Sequence, residues 1–142
     1  RGLGDVYKRQ EENVGEFLEA NDKRGYYFDS GYMNTSATAY FLREDDRLMY
    51  FVQDALFLTD SAFDTLSLGV AFSSASFEQF IPFEKLSDQT ELFGITISYS
   101  VTEETGTYVT RAKFESEDVH YYLEITSFEQ DVLAHYVELL FS

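Results

Sequence analysis

The chain has 142 residues, 44% of them apolar, with 14 Phe, 11 Tyr, no Trp, no Cys and a formal net charge of −16. That length suits one domain with its own core, and the aromatic excess points to a sheet-rich interior. The missing Cys excludes disulfides, thiolate metal sites and cysteine nucleophiles, and the charge disfavours nucleic acid and anionic membrane surfaces as partners.

Residues 1–10 read RGLGDVYKRQ. This string resembles the translated sequencing-library adapter found at the ends of conceptual proteins from metagenomic assemblies. The resemblance implies that residues 1–10 are a non-native or disordered tail and that 11–142 form a single α+β domain. The tail carries three basic residues and one acid, so the remainder is more acidic than the whole. The chain starts with Arg rather than Met, so it is expected to be a fragment or processed piece, and any anchor would lie upstream. It contains no apolar run of about 18 residues and no signal-peptide pattern.

Residues 11–20 carry a weak helical pattern, with Val14, Phe17 and Leu18 on one side and Gly15 weakening it. A turn is expected at 21–25. The aromatic run Tyr26-Tyr27-Phe28 follows and is broken by Asp29-Ser30-Gly31. Residues 37–43 and 47–53 read as strands around the polar turn Glu44-Asp45-Asp46, a hairpin. After a loop at 60–64, Leu66, Leu68, Val70 and Phe72 alternate with Ser67, Gly69 and Ala71 in a half-buried strand. A loop is expected at 73–76. Residues 77–86 contain the sole proline, Pro82, and read as an irregular connection with aromatic anchors.

The last fifty residues are the clearest. Phe93, Ile95, Ile97, Tyr99 and Val101 form one alternating set, Tyr108, Thr110, Ala112 and Phe114 a second, and Val119, Tyr121, Leu123 and Ile125 a third. Turns at 102–106 and 116–118 make these a three-strand meander with one apolar face. Ser127 and Gln130 have the spacing of a capping box, with Glu129 and Asp131 where a helix dipole favours acids. Leu133, Tyr136, Val137 and Leu140 then recur at helical spacing. The expected fold class is α+β: an antiparallel sheet with this meander at its C-terminal end, packed on one face by a C-terminal amphipathic helix, with a short N-terminal helix.

No catalytic set is legible. His120 sits on the polar side of a strand and His135 on the closing helix, neither within a motif. There is no HExxH, EF-hand, GxSxG or phosphate-binding Gly-rich loop, so no catalytic residue, metal or cofactor is expected. The acidic pairs and triplets fall in turns, where they solvate the chain and keep sheet edges soluble. One constellation stands out on the polar face of the meander: Arg111 and Lys113 on one strand, His120, Tyr122 and Glu124 on the next. Cross-strand charge pairing is one reading of it. The other is a recognition surface for a small anionic or sugar-like ligand, or for a partner protein.

The segment from Gly94-Ile95-Thr96-Ile97-Ser98-Tyr99 through Ala112-Lys113-Phe114 to Val119-His120-Tyr121-Tyr122-Leu123-Glu124-Ile125, with its helix entered through Ser127 and Glu129, resembles the C-terminal half of a family of bacterial extracytoplasmic domains of unknown function. These are found in Firmicutes, in membrane-anchored, anti-sigma-factor-like proteins and lipoproteins. The resemblance implies a non-enzymatic sensory or protein-interaction module outside the cytoplasmic membrane, held there by an upstream anchor. Two alternatives stay open. The charge alone suits an acidic inhibitor or immunity-type protein that binds a basic partner in the cytoplasm. The aromatic content suits a small carrier or enzyme with a pocket between sheet and helix.

Overall fold

In the computed structural model, which describes residues 6–11, 14–20, 26–29, 32–60, 62–73, 81 and 84–141, eight strands form one antiparallel sheet accompanied by two short helices. In chain order they are β1 (Val6–Glu11), α1 (Val14–Ala20), β2 (Tyr32–Leu42), β3 (Arg47–Leu58), β4 (Phe63–Ala71), β5 (Asp88–Leu92), β6 (Ile95–Glu104), β7 (Thr107–Ser116), β8 (Val119–Ser127) and α2 (Leu133–Phe141). The strand order is β1-β2-β3-β4-β8-β7-β6-β5. Two four-stranded meanders therefore meet at the β4–β8 ladder, which runs from Thr65–Thr126 to Ala71–His120. The result is more sheet-dominated than a balanced α+β domain. Neither helix is long and apolar enough to cross a membrane.

The predicted C-terminal meander is β6, β7 and β8, but it gains a strand and loses two residues. Phe93 and Gly94, expected at the start of its first strand, form a two-residue turn, and the polar segment Asp88–Leu92 pairs in front of them as edge strand β5. The Phe93-Gly94, Thr105-Gly106 and Glu117-Asp118 turns all have positive φ at both residues. Such turns twist in the sense that paired strands require. Gly94 supplies that conformation without steric cost, which is why the chain reverses there. Strand β5 escapes sequence reading because DQTEL has no apolar alternation, as suits an exposed edge.

At the other edge, β1 pairs with β2 from Val6–Leu42 to Glu11–Ala37. The boundary expected after residue 10 thus falls inside a strand. Tyr7 stacks on Phe41, with ring centroids 5.5 Å apart, and the Arg9 guanidinium lies over the same Phe41 ring. The predicted N-terminal helix is present as the shorter α1. The turn expected at 21–25, most of the loop expected at 73–76, and Pro82 with most of the 77–86 connection lie outside the described residues.

One face of the sheet, here called inner, carries the core. Val14, Phe17 and Leu18 of α1 are buried on the β2 side, where Phe17 meets Phe41 edge to face. Helix α2 buries Leu133, Tyr136, Val137 and Leu140, the stripe predicted from spacing. Its Tyr136 ring meets Phe28 and Phe57, while its Phe141 ring meets Phe114 and Tyr121. The helix therefore runs from over β3 to over β7 and β8, across the junction of the two meanders. Its predicted cap does not form. Ser127 is the last residue of β8, and its Oγ accepts the Glu129 N–H at 3.0 Å, turning the chain. The first helical carbonyl is that of Val132, which accepts from Tyr136 N–H.

Between the two helices the segment around Phe28 is fastened to the sheet by one amide. Gln53, 1% exposed, accepts the Phe28 N–H through Oε1 and donates to the Phe28 carbonyl through Nε2, both at 2.9 Å. A buried backbone pair with no such partner costs about 1–3 kcal/mol per group. Gln53→Ala is therefore expected to lower the urea-unfolding free energy by about 2–4 kcal/mol. Gln53→Glu, which keeps the acceptor and loses the donor, is expected to fall as far or further, since it also buries a charge.

Candidate functional site

With most of the inner face committed to packing, a small hollow of about 120 Å³ between β5–β6 and α2 aside, accessible chemistry falls mainly to the outer face. Register places Ser36, Asp54, Ser67, Glu124, Arg111 and Ser100 in one row across six strands. Toward the β2–β3 turn, taken as up, the next row is Thr38, Val52, Gly69, Tyr122, Lys113 and Ser98, and above it stand Tyr40, Tyr50, Ala71, His120 and Glu115. Downward, toward the β3–β4 turn, come Leu56, Thr65, Thr126, Val109 and Thr102.

The five residues singled out from sequence, Arg111, Lys113, His120, Tyr122 and Glu124, do share this face, and their polar groups are engaged within the molecule. Arg111 Nε donates to Glu124 Oε2 at 2.8 Å, both side chains being partly buried. Burial works against the Arg111 charge, but the Glu124 carboxylate together with Tyr122 and Glu84 outweighs it and holds the guanidinium above its ordinary pKa. Lys113 Nζ donates to the Glu84 backbone carbonyl at 3.0 Å, and burial pushes its pKa down. Tyr122 Oη donates weakly to Glu84 Oε1 at 3.5 Å, and its pKa is raised by burial and then by Glu124 and Glu84. His120 pairs in register with Glu115 and is half-buried.

Glu84 belongs to the connection from β4 to β5. Its described residues Ile81 and Glu84 bear on the outer face. Ile81 of the same connection packs in a small outer cluster with Tyr50 and Ala71. Gly69 makes the room: a Cβ there would stand 2.5 Å from Tyr50 Oη. The upper half of the outer face is thus strapped by the chain itself.

Among the described residues, the lower half is open. A groove of about 370 Å³ is lined by Ser36, Asp54, Leu56, Thr65, Ser67 and Glu124, with Thr126 beside them. Below it, Leu58 and Phe63 face each other across the β3–β4 ladder, 64% and 52% exposed. Phe128, 62% exposed, follows Ser127 just past the lower end of β8, the strand that pairs with β4. Around the end of the β3–β4 hairpin lies a second hollow, of about 460 Å³, shared by Leu58, Asp60, Asp64, Glu129, Asp131 and His135. Asp64 is buried there and accepts from Tyr136 Oη at 2.5 Å, tying β4 to α2. Burial, and then this bond, raise the Tyr136 pKa. Among the described residues, no group of three or more His, Asp or Glu has a metal-holding arrangement.

Sequence reasoning missed this end. Its signal was the outward parity of Leu56 and Leu58 in β3 and of Phe63 in β4, visible only once the hairpin register is known. No family model matches the chain, and no curated protein or solved structure matches it either.

The upper cluster makes a pH-dependent prediction. Burial, then the neighbouring Tyr40, Tyr122 and Asp54, push the Tyr50 hydroxyl from 10.0 up to about 12. A raised folded-state value means stability that is complete below pH 10.0 and lost as pH rises toward about 12. Between those values the melting temperature of wild type is expected to fall more steeply than that of Tyr50→Phe. The variant keeps a shallower decline from Tyr121 and Tyr136, whose values are also raised by burial.

Proposed function

We propose that this chain is a non-enzymatic interaction domain that works outside the cytoplasmic membrane of a bacterium, as the tethered outer part of a longer protein. The observation that carries the interaction reading is the open lower end of the outer face. Leu58 and Phe63 stand side by side as an exposed apolar rim there, with Phe128 exposed just past the lower end of β8, below a groove of hydroxyls and carboxylates. Contiguous exposed apolar surface rimmed by polar groups marks binding surfaces. The compartment rests on the likeness of the C-terminal segment to bacterial extracytoplasmic domains. A second reading, an acidic inhibitor that blocks a basic protein, is favoured by the net charge of −16, and it differs in placing the domain in the cytoplasm.

Two measurements test the proposal. In intact spheroplasts of the native host, added protease is expected to digest the tagged full-length protein. Protection until lysis would favour the cytoplasmic inhibitor instead. A photoreactive residue in place of Phe63 is expected to crosslink a partner in the host, whereas one in place of Phe93, exposed in the turn at the upper end, is not. Equal capture from both positions overturns the assignment of the surface.

A further inference from the structure

The apolar rim is one half of a pattern whose other half is charge. Below the Ser36–Arg111 row, residues 32–35, 55–66, 101–110 and 125–132 contain no Lys or Arg. The same segments hold Asp60, Asp64, Glu103, Glu104, Glu129 and Asp131. Arg111, at the border, is paired with Glu124, and Arg43 and Arg47 flank the β2–β3 turn at the opposite end. Among the described residues, no basic side chain makes an ion pair with Asp54, Asp60, Glu129 or Asp131. Among the described residues, Leu58, Phe63 and Phe128 therefore stand exposed at an end where Asp54, Asp60, Glu129 and Asp131 have no basic partner.

That combination selects its occupant. An anionic bilayer is repelled. A second copy of this chain would bring the same acids against the same acids, since a two-fold contact presents identical patches. A cationic segment with apolar side chains satisfies both halves: its apolar groups cover the rim, and its Lys or Arg heads reach the surrounding carboxylates. We propose that the lower end of the outer face docks such a cationic, apolar-bearing segment of a partner protein. This rests on the interaction reading above and adds the partner's chemistry. The strapped upper half limits the footprint to the lower rows, from Asp54 and Glu124 down to Phe63 and Phe128.

The test is fluorescence anisotropy of the full chain against two labelled peptides of about ten residues, one alternating Lys with Leu and the other Lys with Ser, so that charge is matched. The Lys/Leu peptide is expected to bind at least about tenfold tighter than the Lys/Ser one. Leu58→Ser with Phe63→Ser is expected to remove that difference, and Phe128→Ser, outside any strand, to reduce it without touching the ladder. Raising salt from about 50 mM to about 300 mM is expected to weaken wild type severalfold. Glu129→Gln with Asp131→Asn is expected to blunt that response. Equal affinity for the two peptides, or a rim variant that binds like wild type, overturns the proposal by showing that diffuse charge is enough. Sedimentation showing self-association that the rim variant abolishes assigns the rim to a second copy and also overturns it. A partner crosslinked at Phe63 through a neutral or acidic segment leaves the interaction reading standing and removes only this one.

Discussion

The β4–β8 ladder is the contact on which the rest of the architecture depends. The second meander is joined by short turns throughout, the first by short turns and a longer β1–β2 connection that contains α1, and both end at this ladder. Its register sets Leu66 against Ile125, Leu68 against Leu123 and Val70 against Tyr121, so the apolar sets of both halves fall on one face. A slip by one residue would turn one meander's core outward. The same register aligns Asp54 and Ser67 from the first half with Glu124 and Arg111 from the second. Core and surface are consequences of a single alignment.

Topology then divides the outer face. A chain that leaves β4 in the middle and must reach β5 at the edge has to cross the sheet. The inner side carries α1, the Phe28 segment and α2, and the connection's described residues Ile81 and Glu84 lie on the outer side. Ile81 and Glu84 are its visible anchors, and Lys113, Tyr122 and Tyr50 are the groups they engage. What looks along the sequence like a polar recognition face is thus partly the underside of a connection. Among the described residues, the surface that stays free is the lower end, where Leu58, Phe63 and Phe128 remain exposed.

Much of the secondary structure was legible because alternation and helical spacing are local signals. The apolar sets of β4, β6, β7 and β8 and the stripe Leu133, Tyr136, Val137 and Leu140 all lie where their periods place them. The losses have equally local causes. DQTEL has no apolar period, and Phe93 looks like a strand residue although the two-residue turn needs it. Ser127 and Gln130 have capping spacing, but β8 consumes Ser127 before the helix begins. The Gln53 clasp on Phe28 joins residues far apart in the chain, so no spacing rule finds it. The candidate surface was half legible: Arg111, Lys113, His120, Tyr122 and Glu124 were placed together by strand alternation, while Asp54, Leu58 and Phe63 come from another hairpin.

By itself, then, the sequence determined six of the eight strands among the described residues, the closing amphipathic stripe, the acidity of the surface and which side chains of those strands share a face. Those follow from the period of the backbone and from the hydrophobicity of each residue, and neither needs a partner. Only the tertiary structure decided which meander edges meet, which face the β4–β5 connection crosses and which exposed groups stay open to a partner. These depend on pairings between distant segments, where many registers satisfy the local pattern and packing selects one.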